Sequence, residues 1–305
     1  MKKLLTLSTA LLFTAGAAFA QSNDASLSQD GDDNEANIEQ VGGDNSAELN
    51  QGFQGQGQSN ASGEILQDGS ENSAELNQRA WGSDGNEHSI YQTGYMNSAD
   101  VDIYNGNNFG FVEQSGEENS ARMVQSGTGH SSVILQTGLE NYAQSRATGG
   151  SGNQTAIVQG VPGGEMMPED GLPSNDGPQL QGSEVGPIVP FSSSDNAATL
   201  KVEGSDNLAG ILQVGFGNNA GSNPQWSGDL GIDVVGDGNM SGIAQIGEMN
   251  EANISVMGNA NMAGILQLGA ENTASIMQDG SGNSAVILQS DGMGGGLPGG
   301  VPVVE

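Results

Sequence analysis

Three groups of side chains in this sequence have types and spacings that chemistry can use. Acidic residues crowd into Gly-rich turns, as in Asp30-Gly31-Asp32-Asp33 and Glu117-Glu118. Calcium-binding β-rolls place Asp in such turns, but their regular Gly-Gly-x-Gly-x-Asp signature is missing, so a solvated, self-repelling face is the simpler account. The two histidines, His88 and His130, stand where a short repeated unit otherwise carries Ala and Asn. That makes them variants of the unit rather than a catalytic pair. The Gly-rich stretches lack the Lys-Ser/Thr of a phosphate loop. Neither an enzymatic site nor a cofactor or metal site is expected. The third group is amide: Asn and Gln recur at fixed spacing, and a primary amide both donates and accepts. Identical amides stacked one rung apart therefore bond one another in ladders.

The unit that carries these amides reads Asn-x-Ala-x-(Ile/Leu)-x-Gln-x-Gly and usually recurs every 11 residues. Examples are Asn34, Ala36, Ile38, Gln40; Asn119, Ala121, Gln125; and Asn207, Ala209, Ile211, Gln213. The last units repeat it most cleanly, in Asn261, Ala263, Ile265, Gln267 and in Asn272, Ala274, Ile276, Gln278. These are the expected ladder positions. Their period of two puts all four side chains on one face of a β-strand. The x-Gly-x-x remainder suits a tight turn whose Gly takes positive φ. Each unit is thus one strand and one turn, and two units make a coil. The expected fold is all-β: a β-solenoid of stacked strand-turn-strand repeats, about two strands per coil.

One unit alone is not stable. Burying an Ile or Leu contributes about 1.5–3 kcal/mol, whereas ordering each backbone residue costs about 1–2 kcal/mol. Stability has to come from stacking. The chain reads as twelve units in residues 21–160 and nine in 196–289, opening at Asn196, Asn207, Asn218, Asp229, Asn239, Asn250, Asn261, Asn272 and Asn283. Spacers, one of them holding Trp81, lengthen two early steps, and Pro224 marks an irregular unit where a bulge or edge is expected. Between the blocks, residues 161–195 hold six of the nine prolines and read as a linker or surface loop. Residues 290–305 form a Gly/Pro-rich tail.

Composition sets the setting. Lys2 and Lys3, the apolar run Leu4 to Phe19 and the small residues of Ala18-Phe19-Ala20 read as a secretory signal peptide over residues 1–20. No other segment is apolar enough to span a bilayer, so no stable membrane insertion is expected. There is no cysteine, and hydrophobic residues make up only 34% against 50 glycines. A conventional globular core is richer than that. The formal net charge is −31, and beyond residue 20 only Arg79, Arg122, Arg146 and Lys201 are basic. Such a chain is repelled by nucleic acid, which is excluded as a partner.

The repeat resembles that of the curlins, the subunits of bacterial curli fibres, whose unit runs in outline Ser-x5-Gln-x-Gly-x-x-Asn-x-Ala-x3-Gln. Gln114-Ser115-Gly116-Glu117-Glu118-Asn119-Ser120-Ala121-Arg122-Met123-Val124-Gln125 follows that outline, as do Gln40–Gln51 and Gln267–Gln278. The resemblance implies a secreted structural subunit that self-assembles into extracellular amyloid fibres of a biofilm matrix. It also implies self as the main partner, with a nucleator subunit and a curli-type outer-membrane export pore as further ones. Two other roles fit the same architecture: a soluble or surface-displayed solenoid adhesin, and a fibre nucleator or accessory subunit.

Overall fold

The computed structural model describes residues 22–52, 60–79, 85–160, 193–221 and 231–290. The described residues contain no helix and form two parallel sheets of 11 strands each. Successive units alternate between the sheets. The first sheet begins Asp24–Gln29, Ser46–Gln51, Ser73–Arg79; the second begins Glu35–Gly43, Ser62–Ser70, Glu87–Tyr95. Every strand therefore pairs with the unit two places on, and the chain is a β-solenoid with two strands per coil. The signal peptide, Trp81, Pro224 and nearly all of the tail lie outside the described residues.

The register follows from the repeat. Ala47, Leu49 and Gln51 pair with Ala74, Leu76 and Gln78, so like residues form columns along the stack. The inward columns of both sheets close on one another as the core, including fully buried Leu49, Ile65, Leu76, Ile90, Ile134 and Ile157. Because alternate side chains point out, the same strands leave Glu48, Glu75 and Asp100 on the outer surface of the first sheet.

The stack absorbs irregular sequence without losing register. In the second sheet, Gln154–Gln159 pairs directly with Leu208–Phe216. The two blocks are thus one continuous solenoid, and the insert between them leaves from a turn. Ser193 and Ser194, read from sequence as the end of that insert, already pair with Gly138, Leu139 and Phe216. The extra residue before Asn153 is taken up by a register shift between Thr148 and Ser151. One reading of the sequence needs correction. The units at Asn218 and Asp229 are not two rungs: Asn219–Ala220 and Ile232–Val235 both lie against Ala197–Glu203 and share a single rung. The chain leaves and re-enters within that strand, and the 11-residue spacing there mimics a unit. Counting the split strand once, and setting aside Ser193–Ser194, leaves ten rungs in each sheet.

The turns use two left-handed positions. One is the repeat Gly, as at Gly116 with φ +123°. The other is the residue just before the Asn, as at Glu71, Met96, Glu118 and Glu271, with φ between 54° and 58°. At Gly116 the close stacking adds a steric demand, because a Cβ there would lie 2.0 Å from the carbonyl oxygen of Gly138 in the next coil. Gly116→Ala is expected to cost about 2–4 kcal/mol of unfolding free energy, from backbone strain and displacement of that carbonyl. Denaturant unfolding of the variant beside the parent chain measures it.

Candidate functional site

The chemistry of the stack lies in its amide columns. In the second sheet, the Gln column runs without a break through Gln40, Gln67, Gln92, Gln114, Gln136, Gln159, Gln213, Gln245, Gln267 and Gln289. Each Nε2 donates to the Oε1 of the next coil at 2.8–2.9 Å. The column crosses the insert in the step from Gln159 to Gln213 with the bond at 2.8 Å. The other amide hydrogen reaches across the core to the first sheet, as from Gln114 to the Ser98 carbonyl at 2.9 Å. One side chain thereby joins its own sheet to the coil above and to the opposite sheet.

The Asn columns occupy the corners. In the first sheet, Asn45, Asn72, Asn97, Asn119, Asn141, Asn196, Asn218, Asn250 and Asn272 form successive rungs. Each Oδ1 accepts the Nδ2–H of the next coil at 2.9–3.1 Å. It also accepts the backbone N–H of that next Asn, as from Asn141 to Asn119 at 3.2 Å. The second Nδ2 hydrogen secures the turn, as from Asn119 to the Gly138 carbonyl at 2.9 Å. Asn207 and Asn261 do the same in the second sheet, bonding Asn153 and Asn239. Asn34 Oδ1 accepts the backbone N–H of Ala61, where the column lacks an Asn.

The remaining ladder positions divide between interior and ends. Ala121, Ala209, Ile211, Ala263, Ile265, Ala274 and Ile276 are all buried. Ala36 and Ile38, in the first coil, are only partly buried. Gln213 and Gln267 lie within the unbroken Gln column. Gln125 and Gln278 do not join an amide column. Their sheet carries Ile103, Ala147, Val202, Val234 and Val256 at the Gln position. Gln278 Nε2 donates to the Met262 carbonyl, while its Oε1 is buried without a partner among the described residues.

The break at Ile103 is repaired from the opposite sheet. Gln51 donates to Gln78 Oε1 at 3.0 Å, which turns the Gln78 amide nitrogen toward the break. There it meets His88 Nδ1 at 3.2 Å, and His88 Nε2 donates to Gln125 Oε1 at 2.8 Å. The imidazole takes the place of the missing Gln, with Nδ1 as acceptor and the proton on Nε2. Its room comes from Gly110, where a Cβ would lie 2.3 Å from His88 Cδ2. Burial pushes the His88 pKa down from 6.5 to about 4, against a smaller opposing effect of the Gln125 bond. His130 plays a similar part in the Asn column of the second sheet. Its backbone N–H donates to Asn108 Oδ1 at 2.9 Å, and its ring Nδ1 accepts from the Asn153 backbone N–H at 3.2 Å. Burial lowers its pKa too. Sequence alone placed both histidines in the repeat but missed this splicing role. The signal was there: His88 and Ile103 both depart from the consensus in neighbouring units.

The arrangement defines a class: a parallel, amide-laddered β-solenoid, a cross-β stack folded within one chain. The model of the curlin-associated repeat matches it five times, at residues 20–52, 107–138, 116–144, 204–247 and 269–295. The chain carries curlin-associated repeats. No curated protein matches it.

His88→Ala opens a core cavity and takes the partner from one Gln78 amide hydrogen and from Gln125 Oε1, an expected loss of about 3 kcal/mol. Adding Ile103→Gln rebuilds the consensus column and recovers most of it in a double-mutant cycle. Because the folded pKa of His88 is depressed, its stabilising contribution is complete above pH 6.5 and is lost as pH falls toward about 4. That is worth about 3 kcal/mol in the parent chain. The double variant lacks this titration, which unfolding curves taken across that pH window measure.

Proposed function

We propose that this chain is a secreted structural subunit that polymerises by stacking coil on coil into extracellular, curli-type amyloid fibres, and that it acts without catalysis. One observation carries the reading. Among the described residues, the hydrophobic side chains packed against the core but only partly buried are Leu27, Ala36, Ile38, Ala285 and Ile287, all of them in the first and last described coils. Each terminal coil thus carries the inward residue pattern of an interior rung on an outermost strand. Such an edge templates a further strand.

The polarity of the columns supports head-to-tail joining. Gln40 offers its Oε1 at one end and Gln289 one amide hydrogen at the other, its second being held by the Thr273 carbonyl; these are the same donor and acceptor that meet at every interior step. A heterologous contact of this kind does not close and generates a filament. The curlin-associated repeats and the N-terminal signal pattern support export. A nucleator subunit and an outer-membrane export pore remain the proposed accessory partners.

Acidic turns supply a brake. Glu118, Glu140 and Asp195 precede the Asn residues of three successive first-sheet rungs. Repulsion from Asp195, a bond to it, and repulsion from Glu118 hold the Glu140 carboxyl above its ordinary value. A carboxyl with a raised folded pKa contributes stability that is complete at low pH and is lost as pH rises through that pKa.

The chain without residues 1–20 is expected to form fibres with diffraction spacings near ~4.7 and ~10 Å. A chain that stays monomeric and gives neither reflection overturns the proposal. Leu27→Lys together with Ile287→Lys charges both terminal coils. It is expected to slow fibre growth at least ~10-fold, equivalent to ~1.4 kcal/mol, and to leave the β-sheet circular dichroism unchanged. Growth is also expected to quicken as pH falls toward the carboxylate range. Dye-binding kinetics at several pH values report this.

A further inference from the structure

The outer faces of the two sheets differ in a way that stacking along the axis does not use. All four basic residues beyond residue 20 lie on the first sheet, and three of them form ion pairs there: Arg79 with Asp102, Arg122 with Asp100, and Lys201 with Glu203 and Asp233. The second sheet begins acidic, with Glu35, Glu39 and Glu64 facing out. From Ser131 onward its outer face is nearly without charge. In the six strands Ser131–Leu139, Gln154–Gln159, Leu208–Phe216, Met240–Glu248, Met262–Ala270 and Ser284–Ser290, the one outward charge is Glu248, at a strand end. In a chain of net charge −31, this is the surface on which a second copy meets least repulsion.

Three glycines give the face its shape. Gly210, Gly242 and Gly264 stand in register in successive coils. No positive φ requires them, and a Cβ at any of the three would find its nearest neighbour at 3.8–4.0 Å. Neither the backbone nor the coil needs glycine there, and glycine within a strand weakens it unless another backbone or ligand approaches closely. The column is a shallow channel. On one side stand Leu208, Met240 and Met262; on the other stand Leu212, Ala244 and Leu266, followed by Val214, Ile246 and Leu268. Leu212, Met240, Ile246, Met262 and Leu268 are all exposed.

We infer that this face pairs two copies of the chain side by side, sheet against sheet, about a two-fold axis parallel to the stack. With that axis on the midline of the strand, the channel of each copy receives the Leu212–Ala244–Leu266 ridge of the other. Leu208, Met240 and Met262 then meet Val214, Ile246 and Leu268. The occupant is another copy because ridge and channel repeat at the coil rise, and a second solenoid has features of the same period. The size also fits. Six strands at ~4.8 Å by eight residues at ~3.3 Å give on the order of 750 Å² per copy, close to the ~800 Å² per partner of a stable interface. Parallel stacks leave the coil ends free, so this pairing does not depend on the fibre reading.

Sedimentation equilibrium of the Leu27→Lys/Ile287→Lys chain, whose terminal coils are charged, isolates sideways association. A monomer–dimer equilibrium is expected. Gly210→Val with Gly264→Val fills the channel without adding charge. It is expected to weaken the dimer at least tenfold while thermal unfolding stays level or rises, because valine favours strands. Ile246→Lys with Leu268→Lys abolishes the dimer, and Met277→Lys, on the outer face of the first sheet, leaves it intact. A chain that is monomeric with its own face unaltered overturns the inference, whether that face is bare or covered by residues 161–192 or 291–305. So does a dimer that survives both double substitutions. Fibres of single stacks would sink this pairing alone, whereas dimers without fibres would sink the fibre reading alone.

Discussion

A buried primary amide has to place two hydrogens and its oxygen, and a parallel stack answers this most simply by setting its own copy one coil away. That constraint governs the rest of the molecule. The interior Gln side chains of the second sheet sit in the core rather than on the surface because every bonding group has a partner, as at Gln114: the amide below, the amide above, and a carbonyl of the facing sheet. An unmet group there would cost about 1–3 kcal/mol. The columns therefore fix the register. A one-residue slip of a strand would turn its column amide outward and its outward acidic residues inward.

The same constraint explains where the sequence is free to vary. Additional residues are accommodated in turns or, at 222–230, within a strand that resumes on the same rung. The register on either side is unchanged, because the Gln column continues from Gln159 to Gln213. Within the columns, replacement is tolerated where the bonding is re-formed. His88 splices Gln78 to Gln125, and Ser145, Thr155 and Ser132 bond one another where one sheet loses its Leu and the other its Ala.

Much of the fold was legible because it is repeated. The period of two fixed strand and face, and about twenty copies of Asn and Gln made the columns readable without any contact information. The unread features were those that a step of 11 residues hides. Gln125 and Gln278 match the unit, but their neighbours in space are 22 residues away, and there the sequence has Ile103, Ala147 and Val256. Asp229 falls on the expected spacing by coincidence. The left-handed residue before each Asn escapes notice because Asp, Glu, Met and Ala all occupy it, so composition gives no cue. The bare face of the second sheet emerges only when alternate residues of alternate units are read together.

The directions of the two amide columns have an electrical consequence. Along the columns, each Gln amide donates to the Gln of the coil after it, whereas each Asn amide donates to the Asn of the coil before it. Aligned hydrogen-bonded dipoles add, as along an α-helix, and leave opposite partial charges at the two ends. Here the amide-to-amide bonds of the two kinds of column run in opposition, so each offsets part of the other. Lengthening the stack does not build up a terminal field, so the thousandth coil would be no harder to add than the tenth.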